Sequence, residues 1–558
     1  TSTGKEFKEY FKNPKIVKFE YNDTTCDDNI DMVFNKGRAD DRKKWLSHYD
    51  RESYLDTSND TVTYTDFINR ELIHFSKYDC DRSIPNLVDG FKTSLRKVMY
   101  AVTKKKLKKE IKVAQLSGYV SEHSGYHHGE ASLNGAIKGM AQSYVGSNNI
   151  NLLLPNGQFG TRLEGGKDAA SERYIFTEMN PITKYIFPEV DNNVLKYLDD
   201  DGQMVEPIFY APIIPMILVN GSKGIGTGFS TDILSYNPLE LMNYLIDKLN
   251  NKPCNHFDFV PYYEGFKGTI RQISDQKYLI KGCYEKIADN KIVVTELPIG
   301  FWTLDFKQHL EKLIDVKGGN DKKSKKKPVT VKDYMDSSTD TNVYFTITFA
   351  KGVLNKLESK KIDENCNAME KLLKLYETKS TTNMHMFDAE EKLKRYNNVK
   401  DIINDYMITR LSVYDDRKKY QINELNSILI RLSNKAKYIS ELLDGTIDLR
   451  KKKRDVIIQM LISKGYDMIE GEYKYLLKMP MDSVSEENVE KLLKDKGDRE
   501  IELKKLKTTS IQQMWLRELG EFKDQYGKFK ITREKMQMEY KTKKTKKIKK
   551  LKLKNKQK

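Results

Sequence analysis

Apolar positions recur at helical spacing from Asp66 to Lys109, and the pattern is cut at Arg82-Ser83-Ile84-Pro85, where proline disfavours helical backbone at Ile84. Upstream, residues 1–70 are polar and mixed, with helical spacing around Gly4–Phe11 and Ala39–Tyr49. Downstream, Gly118 to Gly166 is punctuated by turn signals at Gly125, Gly129, Asn148-Asn149, Pro155-Asn156-Gly157 and Gly165-Gly166. So much loop in a compact domain points to function. Residues 208–350 read as α+β. Lys291 to Pro298 is a strand closed by proline, and Val343, Phe345, Ile347 and Phe349 alternate with Tyr344, Thr346 and Thr348 as in a half-buried strand. Between them Lys322–Lys327 predicts a charged surface loop, with a DNA-facing patch as the alternative.

From Val399 to Leu443 one helical pattern persists, with Leu411, Leu425, Leu432 and Ile439 at heptad spacing and Lys418 breaking the seam. Such a helix would be roughly 65–70 Å long. A weaker pattern from Glu487 to Leu506 follows an insert at 446–485. Together they predict an antiparallel coiled-coil arm with a small domain at its tip; an ordinary helical bundle fits the same periodicity.

Length and charge sharpen this picture. The 558 residues imply roughly three to four domains. A 38% hydrophobic content with 22 Phe and 33 Tyr excludes general disorder. Lys and Arg number 97 against 80 acids, and residues 541–558 hold 11 Lys and no acid, leaving 86 basic against 80 acidic elsewhere. A basic run of this kind predicts a disordered tail that contacts nucleic acid. The five cysteines form no CxxC pair, which argues against a disulfide scaffold or structural zinc and favours a reducing compartment. The longest apolar run, Ile208 to Val219, is far short of the about 20 residues a membrane helix needs. No signal peptide is visible, and the opening Thr1-Ser2-Thr3-Gly4 lacks methionine, so a piece of a longer protein is expected.

The chemistry is localised. There is no G-x-x-x-x-G-K-S/T, and Gly221 to Gly228 lacks dinucleotide spacing and reads as a tight turn. Asp199-Asp200-Asp201 reads as a solvated acidic turn, and Cys254-Asn255-His256 is too little for a metal. His127 and His128 sit beside Gly129; they are either hydrogen-bonded structural groups or donors to phosphate oxygens and proton-transfer groups. Arg173-Tyr174 follows the Gly-rich basic loop Gly165 to Ser171, and a tyrosine so flanked is a reasonable nucleophile for a phosphodiester.

The segments RSIPNLVDGFK (82–92), VAQLSGYVSEHSGYHHGEASL (113–133), VGSNNINLLLPNGQFGTRLEGGKDAASERYIF (145–176) and PIIPMILVNGSKGIGTG (212–228) closely resemble the breakage–reunion region of type IIA DNA topoisomerases, in the eukaryotic and large-DNA-virus branch. TSTGKEFKEYF (1–11), KGRADDRKKWL (36–46) and TTNMHMFD (381–388) extend the resemblance, which runs to about residue 540. It implies an α+β multidomain fold. The TOPRIM end would occupy 1–20, a linker 21–74 and a winged-helix DNA-gate domain 75–207. A tower domain would cover 208–352, the coiled-coil arm with helical C-gate 353–540, and the basic tail 541–558. It implies Tyr174 as the nucleophile that takes a DNA 5′-phosphate, Arg173 as holder of the scissile phosphate, and His127 and His128 as transition-state support. Arg82, Lys92, Arg162 and Lys167 would contact DNA, and Ile225 would wedge between base pairs.

The resemblance further implies Mg²⁺ held by a TOPRIM glutamate and Asp-x-Asp pair upstream of Thr1, with no metal ligand here. ATP would act in a domain not included, and the partners would be double-stranded DNA, a second copy through the C-gate and the ATPase/TOPRIM part, with no membrane. A nuclear location or a cytoplasmic viral replication site follows. Two departures stand out: Thr93-Ser94-Leu95 replaces the usual Pro-Gly-Gln, which predicts a small shift of Lys92, and Glu172 beside Arg173 predicts weaker phosphate attraction. The rivals are a catalytically silent DNA-binding or architectural protein of the same fold, and an SMC-like coiled-coil organiser, which the 113–176 motifs disfavour.

Overall fold

The computed structural model describes residues 2–314 and 330–556, so the Lys322–Lys327 loop lies outside the described residues. Among the described residues the fold is mixed α and β, with sheets of two to four strands and no barrel. It divides into two units, one of residues 1–188, 196–409 and 521–558, the other of 189–195 and 410–520.

In the first unit, residues 21–74, expected as a linker, are folded. They hold the helices Thr24–Phe34 and Ala39–Ser47 and the strand Thr61–Thr63, which pairs in parallel with Lys18–Glu20. Cys26, Met32, Leu46 and Val62 are buried there, which is why the segment closes despite its polar composition. Next come the helices Ile73–Ser83 and Thr93–Lys104, and the break between them falls at Ile84, extended at φ −103° and ψ 134° ahead of Pro85. The helices Val113–Ser124 and Glu130–Ala141 flank the two histidines.

The turn between the first two helices is organised by Asp89, which has no exposure to solvent. Its carboxylate accepts from Arg96 Nε at 2.8 Å and Nη2 at 3.1 Å, from the Phe91 amide at 2.9 Å and from the Tyr210 amide at 3.0 Å. A four-stranded antiparallel sheet is ordered Cys283–Ala288, Lys291–Glu296, Phe345–Phe349, Val331–Asp336. Phe345, Ile347 and Phe349 point into a core closed by Phe306 and Leu310 of the Thr303–Ile314 helix, as their alternation dictates.

In the second unit, residues 410–443 of helix Val399–Leu443 lie beside helix Glu486–Thr508. Lys418 Nζ donates to the Thr509 carbonyl at 2.7 Å, while Lys496 approaches Ser433 at 3.4 Å, so the two helices run antiparallel. Tyr438, Ile447, Leu461, Tyr466 and Tyr473 form a small core around the intervening insert. Lys418 breaks the heptad seam because it caps carbonyls at the partner helix's end. Four buried charges lock the unit: Arg410 pairs with Asp191 at 2.9 Å, and Arg417 pairs with Asp191 at 3.2 Å and with Glu518. The Ile511–Lys556 helix carries the backbone of the stretch expected as a disordered tail through Lys556.

Two outcomes follow. Asp89→Ala leaves Arg96 buried without its carboxylate and should cost about 3–5 kcal/mol in urea denaturation. Burial pushes Glu518 up, but Arg417 and the Tyr414 hydroxyl outweigh it and hold the carboxyl below the ordinary 4.5. The stability this carboxyl contributes is present above pH 4.5 and should drain away as the pH falls through its lower folded value, an acid-side loss that Glu518→Gln removes in thermal melts.

Candidate functional site

Helix Val113–Ser124 ends at Gly125, whose φ of 57° is the left-handed cap that an L side chain resists. A Cβ there would also drive into the Asp200 carboxylate. The cap throws the chain outward, so His127 is exposed and His128 half-buried before the next helix begins. Asp200, in the hairpin of Tyr197–Asp200 with Gln203–Pro207, stands 3.5 Å from His127 Nε2. His128 Nε2 hydrogen-bonds the Tyr78 hydroxyl, and its ring meets Tyr126 edge-on at 5.4 Å.

Tyr78 lies on the Ile73–Ser83 helix, and the same helix grips the hairpin of Ser222–Ile225 with Ser230–Ile233. Thr227 Oγ1 donates to Asp79 at 3.0 Å, and Cys80 Sγ to the Thr227 carbonyl at 3.3 Å. Gly224 is required by this contact, since a Cβ would strike the Ser83 carbonyl. Ile225, at the end of its strand, is 78% exposed, an apolar side chain held out into solvent by a rigid hairpin. Lys92 Nζ donates to the Lys223 carbonyl at 2.7 Å, and burial pushes its ammonium down from the ordinary lysine range. Thr93, the first of the replaced residues, donates to the Asp81 carbonyl at 3.0 Å and ties this corner to the same helix. Arg82 is exposed, with Asp79 at 3.6 Å.

The tyrosine stands elsewhere. Tyr174 is 77% exposed and Arg173 beside it is exposed. Their segment is held by backbone bonds from Val113 to Ile175 at 3.0 Å, from Ala114 to Glu172 at 3.2 Å and from Asn156 to Phe176 at 3.0 Å. Glu172 turns to Lys138 at 3.4 Å, and its carboxyl is lowered by a backbone hydrogen bond and by Lys138 and Arg173. Its charge is thus shared with Lys138 rather than set wholly against Arg173. In the preceding loop Asp168 accepts from the Thr161 amide at 2.8 Å and its hydroxyl at 2.6 Å, leaving Lys167 exposed. Arg162 departs from its expected role. It is buried against Glu296 of the four-stranded sheet, so its guanidinium anchors the loop and does not face solvent.

The structure therefore gathers His127, His128, Arg82, Lys92 and Ile225 around one helix and leaves Arg173, Tyr174 and Lys167 apart. The Tyr174 segment bonds the first residues of Val113–Ser124, whereas the histidines follow its last. Twelve residues separate the two groups by roughly 18 Å along the helix axis. Three residues that support the site, Tyr78, Asp200 and Lys138, carry no local signal except the acidic triplet around Asp200. Among the described residues no group of three or more His, Cys, Asp or Glu could hold a metal. The acids beside these residues, Asp200, Asp79 and Glu172, are engaged by His127, Thr227 and Lys138, so the residues here do not fit a Mg²⁺ site.

Two exposed groups thus face solvent, Tyr174 with Arg173 and, apart from them, the paired histidines near Ile225 on its hairpin. A family model for the A-type subunits of DNA gyrase/topoisomerase IV matches residues 82–520, and one for the C-terminal associated domain of TOPRIM matches residues 1–80. The chain belongs to this DNA gyrase/topoisomerase IV family of type II topoisomerases. It is 41% identical to DNA topoisomerase 2 of Plasmodium falciparum (isolate K1 / Thailand), over 93% of this chain and 38% of that protein. It is 38% identical to DNA topoisomerase 2-beta of Homo sapiens, over 95% of this chain and 34% of that protein. The chain thus spans little more than a third of these relatives. The crystal structure of the Plasmodium falciparum topoisomerase II DNA-binding, cleavage and re-ligation domain matches with a TM-score of 0.83 and 40% identity, covering 96% of this chain and 74% of that chain.

Gly125→Ala tests the support of the histidine loop. The left-handed backbone alone should cost about 1–2 kcal/mol, measured by thermal melting, with Asp200 displaced from His127 in a crystal structure of the variant.

Proposed function

We propose that this chain is the DNA-cleaving and rejoining segment of a type II topoisomerase. The observation that carries the reading is Tyr174, 77% exposed beside Arg173 on a firmly bonded segment, in a chain that matches a DNA-binding, cleavage and re-ligation domain. The Tyr174 oxygen attacks a backbone phosphorus. The phenolic O–P bond forms, the P–O3′ bond breaks, and the proton released from the phenol is balanced by one taken up on the 3′-oxygen. The 5′-phosphotyrosyl link is a phosphodiester like the one it replaces, so the reverse attack reseals the strand without ATP. Arg173 holds the phosphate oxygens through charge-assisted hydrogen bonds, and the imidazoles serve as donors or proton carriers.

The separation along Val113–Ser124 implies that one copy does not complete its own site. In this reading Tyr174 and Arg173 of one chain meet His127, His128, Arg82 and Lys92 of a second copy, and two such sites cut both strands. Ile225 wedges into the duplex and bends it, while Lys167 and the lysines of 541–558 add backbone contacts. In this reading a winged-helix region covers 75–207, a tower 208–352 and a coiled-coil arm with C-gate 353–540. Mg²⁺ and ATP act in the whole enzyme through residues outside the described set, in the nucleus or at a viral replication site.

Tyr174→Phe should abolish covalent attachment to DNA while leaving binding nearly intact, read by denaturant trapping with the completing domains supplied. Mixing Tyr174→Phe with His128→Ala chains sharpens the test. A site shared between copies leaves one intact site per mixed dimer and restores single-strand nicks. A site contained within one chain leaves none, and no nicks would sink the shared-site reading.

A further inference from the structure

A cavity of about 420 Å³ lies within the first unit, under the turn Gly157–Thr161 and against residues 525–533 of the Ile511–Lys556 helix. Its volume falls in the roughly 300–1,000 Å³ range of small-molecule sites. Leu154, Pro155, Phe159, Ile182 and Phe529 give it apolar walls. Its charged lining is Arg533 and Lys528 against Asp340, a surplus of one positive charge.

Arg533 is the unusual member, only 8% exposed. Its Nη1 donates to the Asn149 carbonyl at 2.8 Å, and its Nη2 to the carbonyls of Ser143 at 2.6 Å and Asn148 at 3.2 Å. All three acceptors are neutral, and its Nε–H has no partner. Glu264, whose charge favours the guanidinium at longer range, is engaged by Lys530 at 3.5 Å. A guanidinium taken out of water normally meets a carboxylate or phosphate, because an uncompensated buried charge costs several kcal/mol. Burial accordingly pushes its pKa down. Tyr144, also on the wall, is raised to about 12 by burial and so presents a neutral hydroxyl.

We propose that this cavity binds a small amphipathic anion, an aromatic or aliphatic carboxylate or sulfonate. The anionic group compensates the buried Arg533 charge, with Lys528 adding charge at the mouth, and the apolar body fills the space beneath Phe159. The occupant presses on the turn that leads to the tyrosine, since the Ala170 amide bonds the Gln158 carbonyl at 2.9 Å and Gln158 lines the cavity. Binding therefore stiffens the 157–170 loop without touching DNA.

The test uses anilinonaphthalenesulfonate with the whole chain and no DNA, so its result is independent of the cleavage reading. The probe should bind saturably at one site per chain, and the uncharged analogue N-phenylnaphthylamine at least tenfold more weakly. Lys528→Glu and Thr532→Trp change exposed residues at the mouth, one reversing charge and the other filling space. Each should weaken the probe tenfold or more with unchanged circular dichroism and melting temperature. Bound probe should slow amide exchange across 157–170. Equal affinity for the uncharged analogue, undiminished binding by both variants, or unchanged exchange in that loop would overturn the proposal.

Discussion

Asp89 is a carboxylate with no water to solvate it, and everything near it is arranged to stand in for water. It holds the helix after it through Arg96, its own turn through the Phe91 amide and a segment more than a hundred residues away through the Tyr210 amide. Removing any donor would leave charge stranded in a low-dielectric interior, so the three chain segments are obliged to keep one arrangement. Arg82 and Lys92 flank this turn, and their positions inherit its rigidity.

The charged groups divide by burial rather than by sequence neighbourhood. Asp89 with Arg96, Arg162 with Glu296, and Arg410 and Arg417 with Asp191 and Glu518 are inside and hold segments together. Arg82, Arg173 and Lys167 are outside with few close partners. Exposed cations contribute little to folding.

Much of this was legible in the sequence. The helix break at Pro85, the alternating strand at Phe345–Phe349 and the long helix from Val399 all follow from local rules of periodicity and turn chemistry. What was not legible depends on pairing across long separations. Arg162 reads as one more basic residue in a glycine-rich loop, and only its partner 134 residues away shows it to be an anchor. The 21–74 segment reads as polar linker because its few apolar residues are widely spaced, yet they converge in space. Tyr78 gives no signal at all until His128, 50 residues on, is folded against it.

The Ile73–Ser83 helix carries the imidazole's partner at Tyr78 and the hairpin's seat at Asp79, Cys80 and Ser83 within about one and a half turns, a span of roughly 8 Å. A helix is stiff over so short a length, so the spacing between wedge and imidazole is fixed in the manner of a ruler. In the function proposed above, a duplex that engages both presents its kink and its backbone at that one separation. On that proposal, length along the double helix, and not only charge, is a quantity that the protein measures.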